Sequence, residues 1–307
     1  MLSSSQNPRS IFRRTGWWGH VRAIGALLIA IYVLLGAALW WVEPDLIYYP
    51  SQQTVPPEQS WISPVRLNTA DGETLTAWYS AAEPGCPTIL FFDGNAGRPE
   101  VQHGRWARMH EQGVGFLAVY YRGYSGSTGS PSEDGLHIDA QSGLSWLMRR
   151  GVLPNDVIVH GFSLGSGPAT RLAATHAVGG LILEAPFSSM SELITEKLPL
   201  YPFGLFMRNA YSSDRWISAL DEPVLMVHGT ADRLVPSAHS RRLMALAPEP
   251  SEFIELPGST HSSLVSDGLY ETVWPFLERY WQASEPPSPR CGIGGGQSQH
   301  LASTSAR

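Results

Sequence analysis

A serine between two glycines is the strongest chemical signal in the sequence. Residues 161–165 read Gly-Phe-Ser-Leu-Gly, which places Ser163 at the centre of a Gly-x-Ser-x-Gly pattern. The apolar run 157–160 before it is typical of a buried strand, and residues 164–176 carry helical spacing. At such a strand-to-helix turn a serine is exposed as a nucleophile, and the helix N-terminus favours negative charge beside it. We predict that Ser163 attacks acyl groups; a serine that only caps the helix is the alternative.

A serine nucleophile needs a base, and the base needs a partner that fixes its tautomer. Asp232 follows the apolar run 224–229, and His261 follows the run 252–257. The order Ser, Asp, His along the chain is one that such sites use. We predict that His261 is the general base and that Asp232 orients it. The alternatives are an aspartate that caps a turn and a histidine in a surface loop.

Three other side chains compete for these roles. Ser166 lies one helical turn past the nucleophile motif and lacks the strand that should precede a nucleophile. His228 falls inside a predicted strand, and Asp221 precedes that strand. Because functional side chains of a parallel sheet follow the strands, none of the three is predicted to serve.

Acyl transfer also needs N–H donors for the developing oxyanion. The predicted donors are the backbone N–H of Leu164 and that of Asn95, which follows the first predicted parallel strand. Asp93 lies in the same loop, where its charge would oppose an oxyanion unless it is paired or turned away. Arg122 is a candidate partner. Alternatively, the carboxylate accepts hydrogen bonds from the backbone of residues 95–97, and Asp93→Asn would then lower activity.

Short apolar runs alternate with helical stretches over most of the chain. This alternation predicts an α/β fold, with a mostly parallel sheet covered by helices on both faces. The dipeptide Asp71-Gly72 between two alternating stretches in residues 65–80 predicts an antiparallel hairpin at the edge of the sheet. The predicted strands of the parallel part are residues 88–92, 116–121, 157–160, 180–184, 224–228 and 252–256.

Residues 23–42 form an unbroken run of twenty residues without a charge, about 30 Å long as a helix. The run ends in two tryptophans, which favours an uncleaved membrane anchor over the alternative, a cleaved secretory signal. Four arginines precede the run, at positions 9, 13, 14 and 22, and acidic residues follow it. The positive-inside rule therefore predicts that segment 1–22 is cytoplasmic and that the catalytic domain is extracytoplasmic, in the periplasm or outside the cell.

The remaining chain divides by composition. Residues 46–283 are predicted to form the catalytic domain, with a cap or lid insertion at 187–217; ordinary surface packing is the alternative for that insertion. Residues 284–307 are rich in Pro, Gly, Ser and Gln and are predicted to be a disordered tail.

Composition excludes several partners. The net charge is −6 and no basic block follows residue 22, so nucleic acid is not a predicted partner. The glycine motif lacks the lysine of a phosphate loop, and Cys86 and Cys291 lack ligand spacing, so no metal or organic cofactor is predicted. The expected partners are a small-molecule or lipid-like acyl substrate and the membrane. Oligomeric state and pairing of the two cysteines stay open.

Taken together, these motifs resemble a membrane-anchored branch of the α/β-hydrolases that carries a His-Gly-Asn oxyanion loop. The resemblance covers residues 45–282 and includes serine aminopeptidase-like and acyl-protein thioesterase-like proteins. The resemblance implies hydrolysis of acyl bonds. The sequence departs from the branch at one position, where Asp93 replaces histidine. The residues that carry the resemblance are 46–50 (LIYYP), 93–97 (DGNAG), 121–127 (YRGYSGS), 161–165 (GFSLG), 229–232 (GTAD) and His261.

Three functions remain as hypotheses. The first is hydrolysis of a carboxylic ester or thioester through an acyl-enzyme, on lipids or acylated molecules if the anchor sets the substrate. The second is amide or peptide hydrolysis with the same three residues, because pocket shape rather than the triad separates these substrates. The third is a non-catalytic membrane scaffold of the same fold, which only Asp93 favours.

Overall fold

A computed structural model describes residues 17–51, 53–95, 97–199, 201–286, 288 and 290–293. The chain forms two compact units, Met1–Val42 and Glu43–Arg307. In the first unit, the described residues belong to helix α1 (Trp17–Ile47), which continues for five residues into the second. An 18-residue window of this helix has a mean hydropathy of 2.4 and no buried residue, so α1 is a candidate membrane span.

The second unit is built on a sheet of eight strands in the order β1-β2-β4-β3-β5-β6-β7-β8. The pairs β1-β2 and β2-β4 are antiparallel, and the other pairs are parallel. The predicted α/β fold with an antiparallel hairpin at the sheet edge is confirmed. The strands are β1 (Ser63–Asn68), β2 (Thr74–Ser80), β3 (Thr88–Phe92), β4 (Gly115–Val119), β5 (Val157–Phe162), β6 (Gly180–Glu184), β7 (Val224–Gly229) and β8 (Ser251–Leu256).

Helices cover both faces of the sheet, which is why β3 and its neighbours are apolar throughout. In β3, Leu90 and Phe92 pack into one core with the first set of helices, whereas Ile89 and Phe91 pack into a second core with the other set. The first set is α3 (Glu133–Met148), α4 (Ser166–Ala173) and α7 (Ala238–Met244), and the second is α2 (His103–Glu111) and α8 (Leu269–Tyr280).

The long insertion lies between β6 and β7, inside the segment that the sequence marks as 187–217. It contains helix α5 (Met190–Lys197), a 3-10 turn (Phe203–Phe206) and the short helix α6 (Ser213–Trp216). The insertion begins after the carboxyl end of β6, and ligands bind at this edge of the sheet in such folds.

The start of the second unit differs from the composition boundary at residue 46. Glu43 is fully buried, and its carboxylate accepts hydrogen bonds from the backbone N–H groups of Arg208 and Asn209 at 2.8–3.0 Å. From the sequence alone, a charged residue directly after an apolar run is expected to be exposed to solvent. Only the fold supplies the donors that make its burial favourable.

The far end of the unit also extends beyond the composition boundary. Cys291 forms a disulfide with Cys86, 205 positions earlier, and Ile293 is buried. Residues 290–293 are therefore held against the domain by a covalent bond and an apolar contact, which composition cannot reveal. The rest of the predicted tail, 294–307, and the predicted cytoplasmic residues 1–16 lie outside the described residues.

Candidate active site

Ser163 occupies the turn between β5 and α4 in a left-handed backbone conformation, with φ of 50°. The glycines on either side are required by close approach: a Cβ on Gly161 would overlap the carbonyl of Gly165, and one on Gly165 would overlap the carbonyl of Phe92. This tight packing holds the serine in a conformation that L-residues rarely adopt. The turn thus has the geometry of a nucleophile elbow.

Three side chains that are far apart in sequence form a hydrogen-bonded chain at this turn. The Ser163 Oγ lies 2.8 Å from the His261 Nε2, and the His261 Nδ1 lies 2.6 Å from the Asp232 Oδ2. With a proton on Nδ1 donated to the carboxylate, Nε2 can accept the serine proton. The structure therefore brings together all three residues of the predicted triad.

The loops that carry Asp232 and His261 follow β7 and β8 and are joined by backbone hydrogen bonds. The N–H of Thr230 donates to the carbonyl of Leu256 at 3.1 Å, and the N–H of Ala231 donates to that of Ser259 at 2.9 Å. Because the strands are parallel neighbours, both loops leave the same edge of the sheet. This register aligns the carboxylate with the imidazole.

Asp232 is 9% exposed and accepts several hydrogen bonds. Its Oδ1 accepts the backbone N–H groups of Leu234 and Val235 at 2.8 and 2.9 Å, and its Oδ2 contacts His228 and His261. Burial alone would raise the pKa of this carboxyl, but hydrogen bonds from His228 and His261 outweigh it and hold the pKa below its ordinary value. The group stays ionised and keeps its role as an acceptor.

His228 also contributes to the site, although its position inside a strand does not predict a role. Its Nε2 lies 3.2 Å from the Asp232 Oδ2 and 2.8 Å from the carbonyl of Val235, while its Nδ1 lies 2.7 Å from the Ser240 Oγ. The ring is fully buried at the end of β7. The only signal for this contact in the sequence is the four-residue spacing from His228 to Asp232. At this spacing, a side chain near the end of a strand can contact the loop that follows the strand.

The other two rivals of the triad do not join it. Ser166 is fully buried and donates to the carbonyl of Ser163 at 2.6 Å, so it stabilises the turn and does not replace the nucleophile. Asp221 is exposed before β7, as its sequence position predicts.

Asn95 and Leu164 are the residues whose backbone N–H groups are the predicted oxyanion donors. Leu164 follows Ser163 and is 2% exposed. The loop that carries Asn95 passes close to the serine, since a Cβ on Gly94 would lie 3.4 Å from the Ser163 Cβ. The Asn95 side chain fixes this loop: its Oδ1 accepts the Tyr49 N–H at 2.9 Å, and its Nδ2 donates to the Ile47 carbonyl.

Asp93 is buried, with 5% exposure, and its carboxylate contacts the start of the loop. Its Oδ1 accepts the Gly94 N–H at 2.8 Å and the Gln102 Nε2 at 3.2 Å, whereas Oδ2 has no hydrogen-bond partner within the described part of the chain. Burial raises the pKa of this carboxyl to about 6, against the opposing effect of the Arg105 charge.

Arg122, the candidate partner of Asp93, binds other carboxylates. It binds Asp139 at 2.9 Å and Asp71 at 2.7 Å. In the loop, the carboxylate accepts the backbone N–H of Gly94; the alternative prediction, hydrogen bonds from the backbone of residues 95–97, includes Ala96, which lies outside the described residues.

A buried cation that the sequence did not single out lies below this loop. Arg105 is 1% exposed, binds Glu184 at 2.7 Å, and lies over the Phe91 ring at 4.6 Å. Burial acts to raise the pKa of Glu184, but Arg105 and His160 hold it below its ordinary value. Arg105 comes from α2 and Glu184 from β6, so no local spacing could have indicated the pair.

Within the ranges that the structure describes, no three or more His, Cys, Asp and Glu side chains form a group that could hold a metal. The arrangement around Ser163 is instead that of a base-activated nucleophile.

Comparison with known proteins agrees with this geometry. No protein-family model matches the chain. The uncharacterized protein Rv2307c of Mycobacterium tuberculosis is 33% identical over 249 residues, which cover 78% of this chain and 89% of that protein. The α/β hydrolase domain-containing protein WAV2 of Arabidopsis thaliana is 29% identical over 301 residues, covering 86% and 93%.

Among solved structures, the esterase Pf2001 of Pyrococcus furiosus superposes with a TM-score of 0.63, at 17% identity, over 76% of this chain and 100% of the esterase. At this identity the likeness shows the fold alone. Together with the relatives and the elbow at Ser163, it supports one assignment. The chain belongs to the same family as Rv2307c, and its fold is that of the α/β-hydrolases.

Proposed function

We propose that the chain is a serine hydrolase that cleaves a carboxylic ester or thioester through an acyl-enzyme. The observation that carries the proposal is the continuous hydrogen-bond chain from Ser163 through His261 to Asp232, at 2.8 and 2.6 Å. The positive φ of Ser163 and the esterase fold of Pf2001 support it independently.

In the first half of the reaction, the Ser163 Oγ attacks the substrate carbonyl carbon while its proton passes to the His261 Nε2. The carbonyl oxygen becomes an oxyanion, for which the backbone N–H groups of Asn95 and Leu164 are the proposed donors. Asp232 stabilises the imidazolium. His261 then gives its proton to the leaving alcohol or thiol as the C–O or C–S bond breaks, which leaves the acyl group on Ser163.

In the second half, water attacks the acyl carbon and transfers a proton to the His261 Nε2. Collapse of the second tetrahedral intermediate breaks the bond to the Ser163 Oγ, which takes the proton back from His261. A carboxylic acid leaves, and the site returns to its starting state. No cofactor takes part in either half.

We further propose that residues 23–42 anchor the protein in a membrane with the catalytic domain on the extracytoplasmic side. The length and hydropathy of α1 support the anchor, and the arginines before it support the orientation. The disulfide between Cys86 and Cys291 adds support, because disulfides persist in oxidising compartments. Substrates of this kind of site are then expected to be lipids or other acylated molecules at that membrane.

The first test is labelling of the full-length protein with a fluorophosphonate probe, which reacts with activated serines. The wild type and a control variant at an exposed helix serine, Ser145→Ala, should be labelled equally, whereas Ser163→Ala should not be labelled. An unlabelled wild type that is folded would favour the non-catalytic scaffold and overturn the proposal.

The second test separates the substrate classes. The full-length enzyme is assayed with acyl esters of increasing chain length, with matched thioesters and with aminoacyl amides. Faster turnover of esters or thioesters supports the proposal. Amide turnover that exceeds both would instead assign the same triad to amide or peptide hydrolysis.

A further inference from the structure

Two adjacent apolar side chains in the insertion project into solvent. Leu205 is 81% exposed and Phe206 is 62% exposed. Single exposed apolar residues are common on soluble proteins, but two large neighbours on a protruding turn are typical of an interaction site.

The turn that carries these side chains is seated firmly. Phe203 is buried, and a Cβ on Gly204 would overlap the backbone of Ser191 and the side chain of Thr195 on α5. The backbone therefore lies directly on helix α5, with one aromatic side chain anchored inside. Leu205 and Phe206 are exposed because the packing of their neighbours turns them outwards.

The residues just after this turn contact Glu43, the first residue of the second unit. The backbone N–H groups of Arg208 and Asn209 donate to the buried carboxylate of Glu43. Glu43 is the residue directly after the apolar run 23–42. Only one residue, Met207, separates Phe206 from Arg208 in this contact.

A second contact holds the start of the unit on the same segment. The Tyr48 hydroxyl donates to the Asn209 Oδ1 at 2.9 Å and lies 2.7 Å from the Tyr211 hydroxyl. Glu43 and Tyr48 are therefore both held on the segment that follows the Leu205–Phe206 turn. A chain that leaves a bilayer at residue 42 must keep this turn within a few residues' length of the lipid surface.

We propose that Leu205 and Phe206 form a second contact with the lipid bilayer, inserting among the lipids at the interface on the side that carries the catalytic domain. This inference rests on the proposed anchor at residues 23–42. Leucine and phenylalanine are the side chains that enter the boundary between headgroups and acyl chains in peripheral contacts. The contact gives the insertion a specific use, since it holds this segment, which follows the carboxyl end of β6, against the surface from which acylated molecules would come.

The test uses full-length protein in phosphatidylcholine vesicles, with the native cysteines paired. Three single-cysteine additions, Leu34→Cys, Leu205→Cys and Leu153→Cys, are labelled with an environment-sensitive fluorophore before reconstitution. Leu34 reports on the span. Leu153 is the matched control because it is 49% exposed but precedes β5, at the opposite edge of the sheet. Quenching by lipids that carry a nitroxide on the acyl chain is then measured.

The expected result is strong quenching at positions 34 and 205, with several-fold less at position 153. Quenching at 34 but not at 205 would leave the anchor standing and overturn the second contact. A blue-shifted label at 205 that lipid does not quench would show that protein, such as a second copy of the chain, covers the turn, and would also overturn it. Absence of quenching at 34 would remove the anchor and this inference together. No step depends on turnover, so the outcome is separate from that of the hydrolase proposal.

Discussion

The imidazole of His228 contacts the same carboxylate oxygen of Asp232 that accepts the hydrogen bond from His261, at 3.2 and 2.6 Å respectively. The buried hydroxyl of Ser240 holds the other nitrogen of His228. A carboxylate that two imidazoles contact cannot rotate without losing a buried hydrogen bond. His228 is therefore expected to position Asp232 for catalysis.

Replacement of His228 tests this role. His228→Leu removes the donor and is expected to lower kcat about tenfold, corresponding to a loss of one hydrogen bond of ~1.4 kcal/mol. KM should change little. His228→Gln can still donate from its amide and should recover most of the loss. Steady-state kinetics with a soluble ester measures both, and equal losses in the two variants would assign His228 to packing alone.

The triad itself predicts losses that do not add. Ser163→Ala and His261→Ala are each expected to remove most activity, and the double variant should be scarcely worse, because the two residues act as one unit. Asp232→Asn should reduce kcat by about 10⁴-fold without unfolding the protein, since the amide favours the wrong imidazole tautomer. Single-turnover rates and thermal melts would check this. Additive losses would contradict the assigned pairing.

Asp93 makes stability depend on pH. Burial raises the pKa of its carboxyl from 3.8 to about 6. The contribution of this carboxyl to the free energy of unfolding is therefore fully present below pH 3.8 and is lost as the pH rises through 6. Asp93→Asn keeps an oxygen for the Gly94 N–H and removes the charge. We expect the variant to exceed the wild type in unfolding free energy by about 3 kcal/mol at pH 8 and to match it near pH 4.

Denaturant titrations at several pH values measure this difference. Asp221→Asn is the control, because that carboxylate is exposed and its loss should leave the pH dependence unchanged. Asp93→Ala, which also removes the acceptor of the Gly94 N–H, should lower activity more than Asp93→Asn because the loop that presents Asn95 loses its first hydrogen bond. A parallel pH profile for Asp93→Asn and wild type would show that folding does not raise the pKa of this carboxyl.

The contacts of Glu43 determine where the anchor can be removed. A protein that starts at residue 43 keeps the buried carboxylate and should fold as a soluble domain. A protein that starts at residue 45 leaves the N–H groups of Arg208 and Asn209 without their acceptor and should lose about 3 kcal/mol of stability. Denaturant midpoints of the two proteins give the difference. Equal midpoints would show that solvent satisfies these donors at no cost.

The disulfide links the fold to its compartment. If the catalytic domain is extracytoplasmic, intact cells should yield protein in which Cys86 and Cys291 react with maleimide only after reduction. Cys291→Ser should lower the free energy of unfolding by about 2–5 kcal/mol, because it removes a cross-link between residues that are 205 positions apart in the sequence. Two reactive thiols in freshly isolated protein would contradict the proposed orientation, which protease protection in cells would then test directly.

The sequence determined the sheet and the triad, because both depend on local patterns. The apolar runs at 88–92 and 180–184 coincide with β3 and β6, since strands buried on both faces must be apolar throughout. Ser163, Asp232 and His261 could be predicted because each lies within a few residues of the end of a strand, and parallel strands bring their carboxyl ends to one edge. Such features need no knowledge of distant contacts.

The tertiary structure alone decided which polar groups share a buried environment. It joined residues 4 to 205 positions apart: Gln102 with Asp93, His228 with Asp232, Arg208 and Asn209 with Glu43, and Cys86 with Cys291. Whether a buried charge is tolerated depends on donors that folding brings to it, and these lie on other elements. Periodicity records which face of an element is buried but not what lies opposite it.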